Sequence, residues 1–146
     1  MAIPPDGHPD PAVLLAVTFT LAQIDDVRRR VRALSAGFGL AGDELTDWVM
    51  AINELTTNAV RHGSTTAHLT LRCGAELTCE VRDEGTGFDP ARFFGRTVRP
   101  QLTESGGMGL WLVERTTRVL SVTSGPGGTT VSVAALVSPG VPAQPA

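Results

Sequence analysis

Three short segments of the chain carry side chains that suit one kind of chemistry. They are Asn53-Glu54-Leu55-Thr56-Thr57-Asn58, Asp83-Glu84-Gly85-Thr86-Gly87 and Gly106-Gly107-Met108-Gly109, and they occur in this order. A carboxylate and an amide one helical turn apart suit a metal ion beside a phosphoryl group, whereas glycines let a backbone pass close to a ligand. Each segment alone is a weak signal. Together, at separations that let a helix, a strand end and a second helix start converge, they predict a site for a magnesium nucleotide.

The chain contains no lysine, which excludes one common way of binding phosphate. A Walker-type loop, G-x-x-x-x-G-K-[ST], needs a lysine ammonium on the β- and γ-phosphates. The phosphate charge must therefore be met by a divalent metal, by backbone N–H groups at a helix start, or by some of the 12 arginines.

Length and composition predict one domain. With 146 residues, 42% of them hydrophobic, the chain is large enough to bury a core of its own. Proline is frequent at both ends, so we predict a folded body at residues 12–137, a disordered N-terminal segment at 1–11 and a disordered tail at 138–146.

Charge and hydropathy exclude further classes of function. A net charge of −3 leaves no basic footprint for nucleic acid, and the arginine cluster at 28–32 is expected to be a solvated helix face. No apolar run reaches the roughly 18 to 20 residues of a membrane span, and the start does not resemble a signal peptide. We predict a cytoplasmic protein whose two cysteines, Cys73 and Cys79, are reduced core residues of adjacent strands.

Hydrophobic periodicity predicts the order β-α-α-β-β-loop-α-β-β. The strands are expected at 13–20, 67–73, 77–81, 119–123 and 129–137, the helices at 24–38, 43–63 and from 109 onward, and a mobile loop at 88–105. Asp43 is expected to cap the second helix, and Gly63 to end it.

Two placements follow from these periods. On the second helix, Asp47, Glu54, Asn58 and Arg61 gather opposite the apolar side. Alone, such a stripe is typical of an ordinary solvated face, but the other two segments favour a functional one. Asp83 falls on the same inward side of its strand as Val81, where an unpaired carboxylate is costly and needs a partner.

The three segments resemble the N, G1 and G2 boxes of the Bergerat-fold (GHKL) ATPases: Glu54-x-x-x-Asn58, Asp83-x-Gly85-x-Gly87 and Gly107-x-Gly109. That superfamily comprises type II topoisomerases, heat-shock chaperones, histidine kinases and mismatch-repair proteins. The resemblance implies an α/β (α+β) two-layer sandwich, in which a mixed β-sheet carries helices on one face and ATP with Mg²⁺ lies between sheet, helices and a flexible lid.

The resemblance also implies roles for the polar residues. Asn58 would supply its side-chain oxygen to Mg²⁺, and Glu54 would be the general base that orients or deprotonates the attacking hydroxyl or water. Asp83 would accept a hydrogen bond from the exocyclic amine of adenine, and Thr129, in preference to Thr130, would touch the base. A surface glutamate at position 54, and a turn aspartate that caps its own backbone at position 83, are the alternatives.

The remaining expected contacts come from the glycine segments and the arginines. Gly85 and Gly87 would let the backbone approach the purine, and the segment Gly107, Met108, Gly109 and Leu110 would open a helix whose N–H groups face phosphate. Arg61 could reach phosphate or form a solvent salt bridge. Arg92, Arg96 and Arg99 of the predicted loop are candidates for phosphate or partner contacts that nothing in their spacing ranks.

Within the superfamily, the segments around Asn58 and Gly109 are most similar to those of bacterial anti-sigma-factor serine kinases. Members of that group bind ATP, sequester a sigma factor, phosphorylate a serine of an anti-anti-sigma (STAS-type) partner and form homodimers. A sensor histidine kinase is the nearest competitor, yet none of His8, His62 and His68 lies in a helical hairpin that could carry a phospho-acceptor. A non-catalytic nucleotide-binding or contact-only module is the alternative from another class.

Overall fold

The structure, a computed structural model, describes residues 11–63, 65–85 and 107–137. Five strands are present there: β1 (Ala12–Thr20), β2 (Thr66–Cys73), β3 (Leu77–Asp83), β4 (Thr117–Gly125) and β5 (Gly128–Ala135). Three α-helices accompany them: α1 (Ile24–Phe38), α2 (Gly42–Asn58) and α3 (Gly107–Thr116). A 3₁₀ turn at Leu21–Gln23 precedes α1, and a π-helical turn at Ala59–Gly63 follows α2. The predicted order of strands and helices is confirmed; the loop predicted at 88–105 and, apart from Pro11, the predicted disordered ends lie outside the described residues.

The strands form one sheet in the order β1-β2-β3-β5-β4, and every pair of neighbours is antiparallel. The two-layer sandwich with helices on one face is confirmed, but the expectation of a mixed sheet is wrong for these strands. The reason lies in the strand order. β3 and β4, which are joined through α3, run in the same direction, but β5 inserts between them and is antiparallel to both.

The core lies between the helices and one face of the sheet. Alternate strand residues such as Leu69, Leu71 and Val81 point into it, as period-two patterning requires. The helices contribute their apolar stripes: Val27, Val31, Trp48, Ile52, Leu55, Leu110 and Val113. α1 and α2 are also joined by a buried hydrogen bond, in which Trp48 Nε1 donates to Ser35 Oγ at 3.0 Å. This bond satisfies the indole N–H inside the core, where an unpaired donor would be costly.

Helix ends differ from the sequence-based expectation in three places. Asp43 is not the N-cap of α2; Ala41 holds that position, and Asp43 lies in the first turn, where its charge still faces the positive helix end. The regular helix ends at Asn58 rather than at Gly63. α3 ends at Thr116, although helical spacing continues to Leu120. The hydroxyls of Thr116 and Thr117 donate to the carbonyls one turn back, at 2.7 and 2.6 Å, as the chain turns into β4.

Both cysteines have free thiols, as predicted, and Cys79 is buried whereas Cys73 is partly exposed. Burial raises the pKa of the Cys79 thiol far above its ordinary range, and the neighbouring Glu80 carboxylate raises it further. Across the described part of the chain, no helix combines the length and the apolar character needed to cross a membrane.

The raised pKa of Cys79 predicts a loss of stability at alkaline pH. The unfolded thiol ionises above pH ~8.5, whereas the native thiol keeps its proton, so the unfolded state is favoured as pH rises. The free energy of unfolding should then fall by about 1.4 kcal/mol per pH unit. Urea unfolding at pH 8 to 10.5 measures this cleanly, because the chain has neither lysine nor tyrosine to titrate there. Cys79→Ala should flatten the slope and Cys73→Ala should retain it; equal slopes in both variants would contradict the assignment.

Candidate functional site

One row of inward-facing residues crosses all five strands at a single end of the sheet. In register, Phe19 pairs with Ala67, Ala67 with Asp83, Asp83 with Thr129 and Thr129 with Ser124. The row changes from apolar to polar along its length: Phe19 and Ala67 are buried apolar residues, and Asp83 at the centre begins the polar part. The polar part of the row is a patch of one carboxylate and two hydroxyls on the face that the helices cover.

Asp83 is buried, with 8% of its surface exposed, and points inward as the alternation predicted. Its Oδ1 accepts a hydrogen bond from the backbone N–H of Gly85 at 2.9 Å. The turn cap that was the alternative interpretation therefore exists, but it occupies only one carboxylate oxygen. Oδ2 makes no hydrogen bond with the described residues, so it remains available to accept one from a ligand.

Thr129 occupies the position beside Asp83 on β5, and its burial distinguishes it from Thr130, which lies on the other face of the sheet. Its hydroxyl shares a 2.7 Å hydrogen bond with the hydroxyl of Ser124. Next to it, Gly128 has φ 131°, and a Cβ there would overlap the carbonyl of Asp83, with Cα of Glu84 at 3.0 Å. Glycine is thus required for β5 to approach the end of β3 this closely.

Glu54 and Asn58 lie one turn apart on α2, and both are partly buried. The helix is held by its opposite side, where Trp48, Ile52 and Leu55 are almost completely buried. Burial of this apolar side thus determines the direction in which Glu54 and Asn58 point from the helix. Nδ2 of Asn58 is sealed from solvent yet has no hydrogen-bond partner in the described part of the chain.

The π-helical turn begins immediately after Asn58 and packs against the ends of β2, β3 and β5. Since β2 starts at Thr66 and its second residue pairs with Asp83, this turn connects the end of α2 to the sheet end that carries the polar patch. π turns widen a helix and are frequent at functional sites. Arg61 lies in the turn with an exposed side chain, and no ion pair to it is found among the described residues.

α3 approaches α2 at Gly109. A Cβ on Gly109 would overlap Oε2 of Glu54 and would lie 3.2 Å from its Cδ. Two segments of the predicted site, Glu54 of the first and Gly109 of the third, are therefore in contact, and a side chain at position 109 would require the carboxylate to move. Leu110, the next residue, is buried and belongs to the core.

A second sealed donor lies on α3. Nε1 of Trp111 has no partner within the described ranges, and the guanidinium of Arg115 lies 5.0 Å from the centre of its ring. An unpaired buried donor costs on the order of 1 to 3 kcal/mol. Each of α2 and α3 therefore carries one buried donor that a polar ligand could satisfy.

The residues present fit a magnesium ion that is bound mainly through a ligand. No group of three or more histidine, cysteine, aspartate and glutamate side chains converges in the described ranges. Mg²⁺ keeps waters and takes one or two protein oxygens when phosphates supply the others. The side chain of Asn58 carries one amide oxygen of this kind, so the donor set suits a nucleotide-bound ion.

Some predicted residues cannot be placed. Gly87, Arg92, Arg96 and Arg99 lie outside the described residues, and only the helical backbone is described for Gly107 and Met108. Sequence analysis missed Ser124, which it placed in a turn between strands, and it missed the π turn. Ser124 could have been found from the alternation of β4, because it lies two residues after Val122 and therefore on the same inward side of the strand.

A family model of the histidine kinase-like ATPase domain matches residues 17–135, which is most of the chain. The protein therefore belongs to the histidine kinase-like ATPase family, and the resemblance to the GHKL ATPases is confirmed. A comparison with curated proteins finds no match.

Two solved structures are similar to this chain. The RsbU and RsbW domains of Rv1364c from Mycobacterium tuberculosis share 20% identity at a TM-score of 0.54, over 83% of this chain and 31% of that one. The histidine kinase domain of the Erythrobacter litoralis EL346 blue-light activated histidine kinase shares 17% identity at a TM-score of 0.46, over 81% of this chain and 67% of that one. The chain thus spans about a third of the length of the first of these structures, and at 20% identity that likeness shows the fold alone.

The contact between Glu54 and Gly109 predicts an unusual cost for a small substitution. Gly109→Ala should lack the stabilisation of up to about 1 kcal/mol that alanine normally brings to a helix, because the methyl group must displace the partly buried carboxylate of Glu54. Gly37→Ala is the matched control: Gly37 lies in α1 with nothing within 4 Å, so alanine there should stabilise by up to about 1 kcal/mol.

A double-mutant cycle separates this contact from other effects of alanine. In a Glu54→Ala background the carboxylate is gone, and Gly109→Ala should lose most of its cost. Urea unfolding of the four proteins measures the coupling. An equal cost in both backgrounds would show that Glu54 is not the group that requires glycine at position 109.

Proposed function

We propose that the protein is an ATP-binding regulatory serine/threonine kinase of the anti-sigma-factor type. It would transfer the γ-phosphoryl group of ATP to a serine of an anti-anti-sigma (STAS-type) partner, and it would control a sigma factor by binding it. The observation that carries the proposal is the seating of Glu54 against Gly109, because it joins the acid of the first segment to the glycine helix start of the third. Family membership supports ATP as the nucleotide.

Asp83 and Thr129 would hold the adenine. Oδ2 of Asp83 is the free acceptor of a carboxylate that Gly85 already fixes through Oδ1, so it can receive the exocyclic amine without rearranging. The Thr129 hydroxyl, held by Ser124, would contact the base edge beside it. Gly85 and Gly87 would leave the purine face accessible.

The helix start at Gly107, Met108 and Gly109 would direct its free N–H groups to phosphate, and Leu110 would anchor that start in the core. Asn58 would hold Mg²⁺, which when bound neutralises phosphate charge in a chain without lysine. Arg61, three residues beyond Asn58, would serve the same task.

Glu54 would act on the attacking hydroxyl. Its carboxylate accepts the proton of the serine hydroxyl while the oxygen forms a bond to the γ-phosphorus, and the bond from that phosphorus to the bridging oxygen breaks to release ADP. Packing against Gly109 holds the carboxylate beside the helix start that would receive the phosphates. Positioning of this kind provides most of the catalysis in phosphoryl transfer.

The partners follow from the same proposal: a sigma factor, an anti-anti-sigma protein and a second copy of the chain, in the cytoplasm and without nucleic acid or membrane. The competing function is a non-catalytic module that binds nucleotide or acts by contact alone. The absence of lysine favours the non-catalytic module, because only arginine, metal and backbone N–H groups are then left to neutralise the γ-phosphate.

The proposed role of Glu54 predicts that a substitution there lowers ATP turnover but leaves ATP affinity nearly unchanged. Glu54→Gln keeps the shape of the side chain but cannot accept the proton, so ATP turnover should fall at least about 10²-fold. Calorimetric titration with ATP and Mg²⁺ should give an affinity within about threefold of wild type, since uniform binding is retained. Asp47→Asn, an exposed carboxylate on the same stripe of α2, is the matched control and should change neither quantity. Undiminished turnover in Glu54→Gln would refute the general-base role.

The role of Asp83 predicts a loss of affinity for adenine nucleotides. Asp83→Asn keeps Oδ1 for the Gly85 N–H but replaces Oδ2 by a donor, which opposes the donor amine of adenine. ATP affinity should fall by about 1 to 3 kcal/mol, roughly 5- to 150-fold in Kd. Glu84→Gln, the exposed neighbour, is the control. Equal ATP affinity in Asp83→Asn and wild type would remove the adenine site, and no ATP binding by the wild type would favour the contact-only module.

A further inference from the structure

Thr129, in the polar part of the row at the sheet end, has a possible hydrogen-bond partner on each side. Asp83 of β3 and Ser124 of β4 both lie opposite it in register. Cross-strand neighbours on one face have Cβ atoms about 4.5 to 5.5 Å apart, so a threonine hydroxyl can reach a polar group on either side. The hydroxyl oxygen of threonine has few staggered positions, and each of them serves one side at a time.

The structure places the Thr129 hydroxyl on the Ser124 side. The two hydroxyl oxygens are 2.7 Å apart. The Asp83 side chain also belongs to the described part of the chain, yet no hydrogen bond joins its carboxylate to the Thr129 hydroxyl. A bond to the carboxylate would be the stronger one, since a hydroxyl that donates to an ionised acceptor gains about twice as much as one that donates to a neutral oxygen. The bond to Ser124 therefore holds the hydroxyl away from the stronger acceptor.

This position of the hydroxyl decides whether Oδ2 of Asp83 is available. Oδ1 already accepts the backbone N–H of Gly85, so Oδ2 is the oxygen of this buried carboxylate that is left for a ligand. A Thr129 hydroxyl turned toward β3 would donate to Oδ2 and occupy it. With the hydroxyl bonded to β4 instead, the acceptor stays vacant.

The hairpin of β4 and β5 keeps Ser124 opposite Thr129. A two-residue turn at 126–127 joins the strands, and Gly125 pairs with Gly128 directly beside it. Turn type and loop length fix the register of a hairpin. The next pair along the strands is Ser124 with Thr129, so the turn itself presents the serine hydroxyl to Thr129 before any ligand binds.

We propose that Ser124 is a positioning residue for adenine selectivity, which holds the Thr129 hydroxyl on the β4 side and so keeps Oδ2 of Asp83 free for the exocyclic amine. This inference rests on the proposed function, in which Asp83 accepts that amine. Ser124 acts through Thr129 and needs no contact with the base. A site built to hydrogen-bond one group of a ligand rejects an analogue that lacks the group, because a buried polar atom is then left unpaired. Selectivity for adenine therefore depends on Ser124 as well as on Asp83.

Calorimetric titration of the full chain with Mg²⁺ tests this role by comparing ATP with purine riboside triphosphate, in which hydrogen replaces the exocyclic amine. Wild type should bind ATP at least about 10-fold more tightly, as expected for a hydrogen bond to a charged acceptor. Ser124→Ala releases the Thr129 hydroxyl to turn to Oδ2, so this preference should fall to about twofold or less. A loss of packing alone would weaken both nucleotides and leave their affinity ratio unchanged.

Removal of the second hydroxyl separates the two explanations further. Thr129→Val keeps the branched shape of the side chain, and the double variant Ser124→Ala/Thr129→Val has no hydroxyl left to turn toward Asp83. Its preference for ATP should therefore return to at least about 5-fold, although it lacks both hydroxyls. Ser124→Thr keeps a hydroxyl at position 124 and should stay within about threefold of the wild-type preference.

Ser121→Ala is the matched control, since it makes the same substitution at an exposed position of β4 and should change neither affinity. Circular dichroism confirms the fold of each variant. A preference for ATP that survives Ser124→Ala, or a double variant that remains without one, would overturn the role of Ser124 and leave the adenine site in place. A wild type that does not bind ATP, or that binds both nucleotides equally, would refute the adenine site itself and the role of Ser124 with it.

Discussion

Burial of the Asp83 carboxylate on the helix-covered side of the sheet is the constraint on which the rest of the site depends. A charge in that position requires compensation, and the backbone N–H of Gly85 provides it for one oxygen only. Around it, Gly128 lets β5 come close, and the Thr129 hydroxyl is hydrogen-bonded to that of Ser124. The end of β3 therefore presents one free acceptor beside the hydroxyls of Thr129 and Ser124.

Glu54 faces a related constraint on α2. Its carboxylate is seated against a residue without a side chain, so its position is set by the approach of α3 as much as by its own helix. The apolar stripe with Trp48 and Ile52 in turn sets the rotation of α2. Core packing thus determines where the carboxylate lies, and a ligand that meets both Asp83 and Glu54 must span the space between the strand ends and the helices.

The sequence predicted what depends on local period. Alternation in β3 placed Asp83 inward, because Leu77, Cys79 and Val81 define one buried side that a strand must keep. It could not predict the π turn, since a period of 3.6 residues continues smoothly through Asn58. It also could not predict that β5 lies between β3 and β4, because strand order is set by packing between distant segments. The contact between Glu54 and Gly109 is long-range in the same sense, although both residues were singled out.

The two faces of the sheet are coupled through β3, because a strand sends alternate residues to opposite sides. Asp83 points to the helices, while Glu80 and Arg82 point away, and all three belong to one short backbone segment. A shift of β3 that moves Glu80 and Arg82 therefore also moves the segment that holds Asp83.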